Sequence, residues 1–207
     1  MTTESRIETG ALGYTHPGWE EHYYPEGLPD DWLLDYYGHH FRFVLLKTEE
    51  WLDASEDEVS QWKEDVKESF DFFLSIQSTD IDDRLVEQIK MIKTILGEQL
   101  RGVVFMQSAV PESIQPLLAL TDVYIDTDAP ESLPDGARPC WRKGRETPHC
   151  VLGFLSREDT KDIRTMRAHI QTFMTVRDPQ LAYLVYEGDP PPSQLMQDAQ
   201  VILQLLM

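Results

Sequence analysis

The 207-residue sequence predicts an α/β fold, a short or degenerate TIM-type (β/α) barrel in a single domain. Short apolar runs alternate with longer amphipathic stretches, as in a parallel sheet covered by helices. That alternation also fits a doubly wound sheet. However, no glycine-rich phosphate-binding turn follows a predicted strand, which favours the barrel. The length lies at the lower limit for a barrel, roughly 200 residues.

The predicted strands are short and rich in apolar residues. The run at 41–47 (FRFVLLK) is nearly continuous, as in a strand buried on both faces. Residues 10–14 are a possible first strand before it. Five more strands are predicted at 70–77, 100–107, 122–126, 150–155 and 181–186.

Helices are predicted between these runs from apolar spacing. Residues 80–96 place Ile81, Leu85, Ile89, Ile92 and Leu96 on one face, and Gly97 is a natural stop. The last helix follows three prolines, with Ser193 as a possible N-cap. The predicted helices are 30–38, 55–69, 80–96, 111–120, 158–176 and 193–206. Residues 127–149, rich in proline and glycine, are predicted to be an irregular loop excursion within the single domain 1–207.

Charge and cysteine content narrow the functional classes. Lysine and arginine number 18 against 37 acids, a formal net charge of −19 with a pI near 4.5. Such a surface repels phosphate backbones and anionic lipids, so neither a nucleic acid nor a membrane is the expected partner. Two cysteines, no signal-like N-terminus and no apolar run of ~20 residues predict a cytoplasmic protein.

The opening segment resembles the YecE-like family, known as domain of unknown function 72. The similar elements are Gly18-Trp19, the turn at 24–29 (YPEGLP), Tyr36-Tyr37 and the strand at 41–44 (FRFV), with 96–107 resembling a later strand and 182–206 the last strand and helix. The resemblance implies a TIM-type barrel. The family has no established activity to transfer.

Several polar positions depart from that family's pattern. Family members carry Val-Glu-hydrophobic-Asn on the second strand, whereas this chain has Val44-Leu45-Leu46-Lys47. The fifth strand ends here in Tyr124-Ile125-Asp126, and Glu187-Gly188-Asp189 replaces an asparagine pair after the last strand. The barrel mouth is therefore expected to be divergent.

Reactive groups in a parallel barrel lie at the carboxyl ends of its strands. We predict Lys47, Glu49, Asp126 and Glu187 as candidate catalytic residues, because acids and a lysine around one mouth suit general acid–base chemistry. Polar strand ends also occur without a function, since they meet solvent. The candidate substrate-binding residues are His16, Trp19, Tyr23, Gln77, Gln107, Arg142 and Arg145. Ser108, Asp128 and Asp189 are further polar residues near these strand ends.

The arginines and aromatic residues each have two interpretations. Arg138, Arg142, Lys143 and Arg145 form a basic cluster that would clamp a phosphate or carboxylate, or would pair with the chain's own acids. Trp32, Leu33, Tyr36 and Tyr37 have helical spacing and are expected to pack. Trp19 and Tyr23 are the better pocket candidates.

No metal or other cofactor is predicted. Glu49, Asp126, Asp128 and Glu187 would suit Mg²⁺, but His16 is the one histidine near a strand end. Cys140 and Cys150 with His149 match no standard zinc spacing. His39 and His40 are expected to complement a helix end.

Two functions remain open at this point. The first is a binding or interaction protein with a divergent barrel mouth, whose partner is a small-molecule ligand or a protein. The alternative is an enzyme that uses carboxylate acid–base chemistry on a phosphorylated or sugar-like substrate held by Arg142 and Arg145. The sequence leaves the oligomeric state undetermined.

Overall fold

The computed structural model describes residues 6–20, 22–78, 80–107, 114–145 and 147–206. These residues form eight parallel strands. They are β1 (Arg6–Ala11), β2 (Phe43–Leu46), β3 (Asp71–Ile76), β4 (Leu100–Phe105), β5 (Asp122–Ile125), β6 (Arg138–Pro139), β7 (Leu152–Leu155) and β8 (Leu181–Tyr186).

Helices follow most of the strands and cover the outside of the sheet. They are α1 (Leu33–His40), α2 (Thr48–Trp51), α3 (Glu56–Asp65), α4 (Asp83–Leu96), α5 (Gln115–Leu118), α6 (Ile163–Val176) and α7 (Ser193–Leu206). Short 3₁₀ turns are present at Pro17–Trp19, Asp30–Trp32, Gly97–Gln99 and Pro130–Ser132.

The strands follow one another in cyclic order. One sheet runs β2-β3-β4-β5-β6 and the other β1-β8-β7, all with parallel pairing. Isolated parallel bridges, Leu12–Leu45 and Trp141–Gly153, join the two sheets at both seams. The α/β fold with the strand order of a (β/α)₈ barrel is therefore confirmed.

Tyr37 of α1 reinforces the seam between β1 and β2. Its fully buried hydroxyl donates to the Phe43 carbonyl at 3.0 Å and accepts from the Ala11 amide at 2.7 Å. The Gly13 amide adds a 2.7 Å bond to the Leu45 carbonyl. Gly10 keeps the strands close, since a Cβ there would lie 2.3 Å from the Phe43 carbonyl oxygen.

Strand alternation divides the apolar residues between two cores. Residues facing outward pack against the helices, as Val44 and Leu46 do. The barrel interior contains Phe43, Leu45, Phe73, Val104, Tyr124, Cys140, Leu152, Phe154, Tyr183 and Val185. Edge-to-face rings fill it, with the Tyr183 centroid 4.9 Å from those of both Phe43 and Phe73.

Most predicted elements are present with shifted boundaries. The strand at 181–186 and the helix at 193–206 have the predicted bounds, although the latter begins at Ser193 itself. Strand β1 starts at Arg6 rather than residue 10, and α1 extends through His39 and His40. The predicted helix at 111–120 is a single turn, Gln115–Leu118, and residues 111–113 lie outside the described ranges.

Two boundaries were wrong for local reasons. Helix α6 begins at Ile163 rather than residue 158, because the Asp159 and Thr160 amides turn back to the Ser156 carbonyl and Asp162 caps the helix. Strand β6 lies inside the stretch predicted as irregular. A turn between Pro134 and Ala137 precedes it, and Pro139 has no amide hydrogen, so it is only two residues long.

Candidate functional site

A cluster of acids and arginines lies at the carboxyl ends of β5, β6 and β8. The alternation that turns Tyr124, Cys140 and Val185 into the barrel carries Asp126, Arg142 and Glu187 to the same side, each two residues further on. These three side chains form the uppermost layer of the interior. Strand ends predicted Asp126 and Glu187 as mouth residues, whereas Arg142 was predicted from the basic cluster of the irregular loop.

Arg142 binds both acids through charge-assisted hydrogen bonds. Its Nη1 and Nη2 donate to the two Glu187 carboxylate oxygens at 2.6 and 2.8 Å, and Nε donates to Asp126 Oδ2 at 2.7 Å. The guanidinium lies 4.8 Å from the centroid of the Phe154 ring beneath it. Burial opposes its charge, but the bonds to Glu187 and Asp126 outweigh burial and raise the pKa of Arg142.

Arg145 binds the second carboxylate oxygen of Asp126. Its Nη1 donates to Asp126 Oδ1 at 2.5 Å, and its Nε donates to Asp128 at 2.8 Å. The Asp126 side chain is 7% exposed between the two guanidiniums, whereas the Asp128 side chain is 79% exposed. We call Asp126, Arg142, Arg145 and Glu187 the mouth ion-pair cluster.

A second polar group lies where β1, β2 and β8 end. The buried His16 ring is 2.9 Å from the Leu12 carbonyl through Nε2. Its Nδ1 is 3.4 Å from Lys47 Nζ and 3.6 Å from Asp189. Burial lowers the pKa of His16, and the bond to Leu12 opposes that effect.

Glu50, which the sequence analysis missed, organises this group. Its Oε2 accepts from the Lys47 amide at 2.7 Å, and its Oε1 accepts from the Thr15 hydroxyl at 2.6 Å and from two loop amides. The candidate Glu49 is exposed and faces away on the same helical turn. The signal was available, because an acid three residues into a helix often bonds back to its N-cap amide.

The aromatic candidates lie in the core beneath the loops. Trp19 and Tyr23 are 1% and 8% exposed, and their ring centroids are 4.9 Å apart. Trp19 Nε1 donates to the Pro191 carbonyl at 2.8 Å, which ties the first loop to the last. One face of Trp19 also borders a cavity that holds Arg157 and Lys161.

The remaining candidates are distributed around the rim. Gln77 and Gln107 are exposed, and the Gln107 amide donates to the Gln77 carbonyl. Ser108 lies outside the described residues. The basic cluster of the sequence is divided by β6, which places Arg138 at the amino end of the barrel near Asp122, away from Arg142 and Arg145.

Other predicted sites have ordinary surroundings. His39 and His40 contact the carbonyls of Asp35 and Tyr36 through Nδ1, at the end of α1. Cys140 and Cys150 are buried free thiols. Across the described ranges, no group of three or more His, Cys, Asp or Glu side chains could hold a metal ion. Among those same residues, no helix is long and apolar enough to cross a membrane.

The cyclic order of parallel strands, with polar side chains at their carboxyl ends, defines an α/β protein of the TIM-barrel type. Residues 8–107 match the family described as protein of unknown function DUF72. The resemblance seen in the sequence is thereby confirmed over residues 8–107.

Solved structures share this fold at low sequence identity. A DUF72 family protein from Thermotoga maritima MSB8 is 12% identical, with a TM-score of 0.66 over 96% of this chain and 99% of that one. One from Enterococcus faecalis V583 is 10% identical, with a TM-score of 0.58 over 97% and 99%. D-psicose 3-epimerase, 7% identical, has a TM-score of 0.53 over 96% and 97%. No curated protein matches the chain.

Proposed function

We propose that this protein is a binding barrel whose carboxyl-end mouth is structural rather than an acid–base active site. The mouth ion-pair cluster carries the proposal. General acid–base catalysis needs a carboxyl group free to exchange a proton with substrate. Here Asp126 accepts from two arginines, and Glu187 accepts from Nη1 and Nη2 of Arg142.

The other two catalytic candidates support the same conclusion. Lys47 Nζ lies beside the buried His16 ring, and the Lys47 amide is fixed by Glu50. Glu49 is exposed on α2. Lys47 and Glu49 are therefore not part of the mouth ion-pair cluster. We expect the partner of such a barrel to be a small molecule or a protein, because the acidic surface repels nucleic acids and anionic membranes.

Stability measurements on neutral variants test this proposal. Glu187→Gln leaves a half-buried guanidinium with an uncharged partner, and we expect unfolding to become easier by about 2 kcal/mol. For a chain of this size that is a fall in Tm of roughly 4–8 °C. Asp128→Asn removes a largely exposed partner of Arg145 and is the control, with a change within about 0.5 kcal/mol.

A catalytic role for Glu187 would give the opposite pattern. Active-site residues are commonly held at a cost in stability, so their replacement leaves Tm unchanged or raised while activity is lost. An unchanged or higher Tm for Glu187→Gln would therefore contradict a structural mouth.

The alternative function, an enzyme on a phosphorylated or sugar-like substrate, is favoured by one observation. A cavity of about 580 Å³ lies between the loops after β7 and β8, with Trp19, Arg157 and Lys161 in its wall. Proton NMR of the protein with D-fructose or D-fructose 6-phosphate distinguishes the two functions. Turnover that disappears in Glu187→Gln would establish the enzyme, and an unchanged sugar spectrum supports the binding barrel.

A further inference from the structure

An opening into the barrel interior lies at the opposite, amino end of the strands. A cavity of about 550 Å³ is bordered by residues at or beside the first positions of several strands, among them Arg101, Asp122, Arg138, Val151 and Leu181. Phe73, Tyr124 and Tyr183 form its inner wall. A volume of this size is within the range of small-molecule sites.

The short strand β6 accounts for this opening. Strand β5 pairs with β4 at four positions but with β6 only at Tyr124–Arg138 and Ile125–Pro139. On its other side β6 reaches β7 through the single bridge Trp141–Gly153. Below that bridge, no strand of the described residues fills the wall between Asp122 and Val151, and the interior aromatic rings line the space.

Two arginines at the opening have long ion-pair contacts, and Arg101 also forms a side-chain hydrogen bond with Tyr183. Arg101 Nε is 3.6 Å from Asp71, and Arg138 Nη2 is 3.9 Å from Asp122, both longer than a hydrogen bond. A guanidinium has five N–H donors in a planar fork. The arginines of the mouth ion-pair cluster use theirs at 2.5–2.8 Å, so the amino-end pair retains more capacity for an incoming anion.

Of the other charged groups of the cavity, Lys93 and Asp178 are committed to the fold, Asp122 lies beside Arg138, and Glu98 is exposed at the rim. Lys93 Nζ donates to the carbonyls of Gly97 and Leu100 at 2.9 and 3.3 Å. The Asp178 carboxylate accepts from the Gln180 amide at 2.8 Å and the Leu181 amide at 3.3 Å. Arg101 and Arg138 are thus the groups placed to meet a ligand, and the rings behind them offer an apolar surface.

We propose that this amino-end cavity binds a small organic anion, in which a carboxylate or a phosphate is attached to a flat apolar ring. The anion lies between Arg101 and Arg138, and the ring contacts Tyr124 and Tyr183. Charge-assisted bonds to arginine supply the recognition of the anion. The site is separate from the carboxyl-end mouth, so it does not depend on whether that mouth is structural or catalytic.

Calorimetric titration of the whole protein with phenyl phosphate, benzoate and benzyl alcohol tests the proposal. We expect saturable binding of at least one anion in the millimolar range or tighter, and weaker binding of the neutral alcohol by about tenfold or more. The tighter of the two anions identifies the charged group. Failure of both anions to saturate, or equal binding of the alcohol, would overturn the proposal.

Three variants locate the site. Arg138→Gln and Arg101→Gln should each weaken anion binding by about tenfold, whereas Arg157→Gln, at the carboxyl-end cavity, should leave it unchanged. Arg138 is half exposed, so its variant is expected to fold, and an unchanged melting curve verifies this. Anion binding that survives both amino-end substitutions, or that is lost with Arg157→Gln, would refute this location.

Discussion

The two ends of this barrel use the same residue types in opposite ways. At the carboxyl end, Arg142 and Arg145 are bound to acids at 2.5–2.8 Å. At the amino end, Arg101 and Arg138 stand 3.6 and 3.9 Å from theirs beside an open cavity. Ion pairs that are half-buried and short hold a fold together, whereas long pairs leave donors for a ligand.

The largest expected effect comes from breaking the carboxyl-end cluster. Arg142→Ala leaves Glu187 unpaired, removes one of the two partners of Asp126, and uncovers Phe154. We expect a loss of about 3 kcal/mol, measured by urea unfolding. Arg138→Ala is the matched change at the amino end, where the exposed pair predicts about 0.5 kcal/mol. Equal losses from the two variants would contradict the distinction between the ends.

An intermediate effect is expected inside the amino end. The Tyr183 hydroxyl donates to the part-buried Asp71 at 2.7 Å, whereas that of Tyr124 is 3.4 Å from the exposed Asp122. Tyr183→Phe should therefore destabilise by about 1.5 kcal/mol and Tyr124→Phe by about 0.5 kcal/mol or less, measured by thermal unfolding. A greater loss from Tyr124→Phe would show that the network depends on Asp122 instead.

The smallest effect is a difference in pH dependence between the ends. Burial lowers the pKa of His16 at the carboxyl end, so the unfolded chain binds its proton more readily and stability falls as pH drops below about 6.5. Burial raises the pKa of Asp71 at the amino end, partly offset by Tyr183. The folded chain then binds that proton more readily, and stability increases as pH falls towards about 3.8.

Two substitutions separate these contributions. Relative to His16→Gln, the wild-type protein should lose stability between pH 7 and pH 5. Relative to Asp71→Asn, it should gain stability between pH 7 and pH 4. Unfolding midpoints in denaturant across that range give both differences. If the two stability differences changed in the same direction with pH, burial would not be the cause of the pKa shifts of His16 and Asp71.

The sequence predicted those parts of the fold that depend on local pattern. Strand β8 and helix α7 have clear apolar periodicity bounded by turn residues, and their bounds were predicted correctly. Strand β6 has two residues, one of them proline, and owes its strand geometry to Tyr124 and Ile125 of the neighbouring strand. No periodicity exists in a segment that short, so a local signal for it was absent.

The members of the candidate site were predictable, and pairing of its arginines with the chain's own acids was one of two interpretations, but the particular partners were not predicted. Alternation along each strand placed Asp126 and Glu187 at the mouth, yet their common contact with Arg142 joins residues 16 and 45 positions apart. The choice of Glu49 over Glu50 depended on the direction of one helical turn. The amino-end cavity was not predicted, because it results from the shortness of strand β6 rather than from a pattern of residues in the sequence.

One measurement examines both ends together. In a ¹⁵N-labelled sample titrated with phenyl phosphate, we expect the amides of Gly102, Arg138 and Leu181 at the amino end to shift progressively and to saturate. The chemical shifts of the Gly13, Arg142 and Glu187 amides at the carboxyl end should not change. Saturating shifts confined to the carboxyl-end amides would contradict the account, because the ligand would then enter through the mouth that the ion pairs are inferred to close.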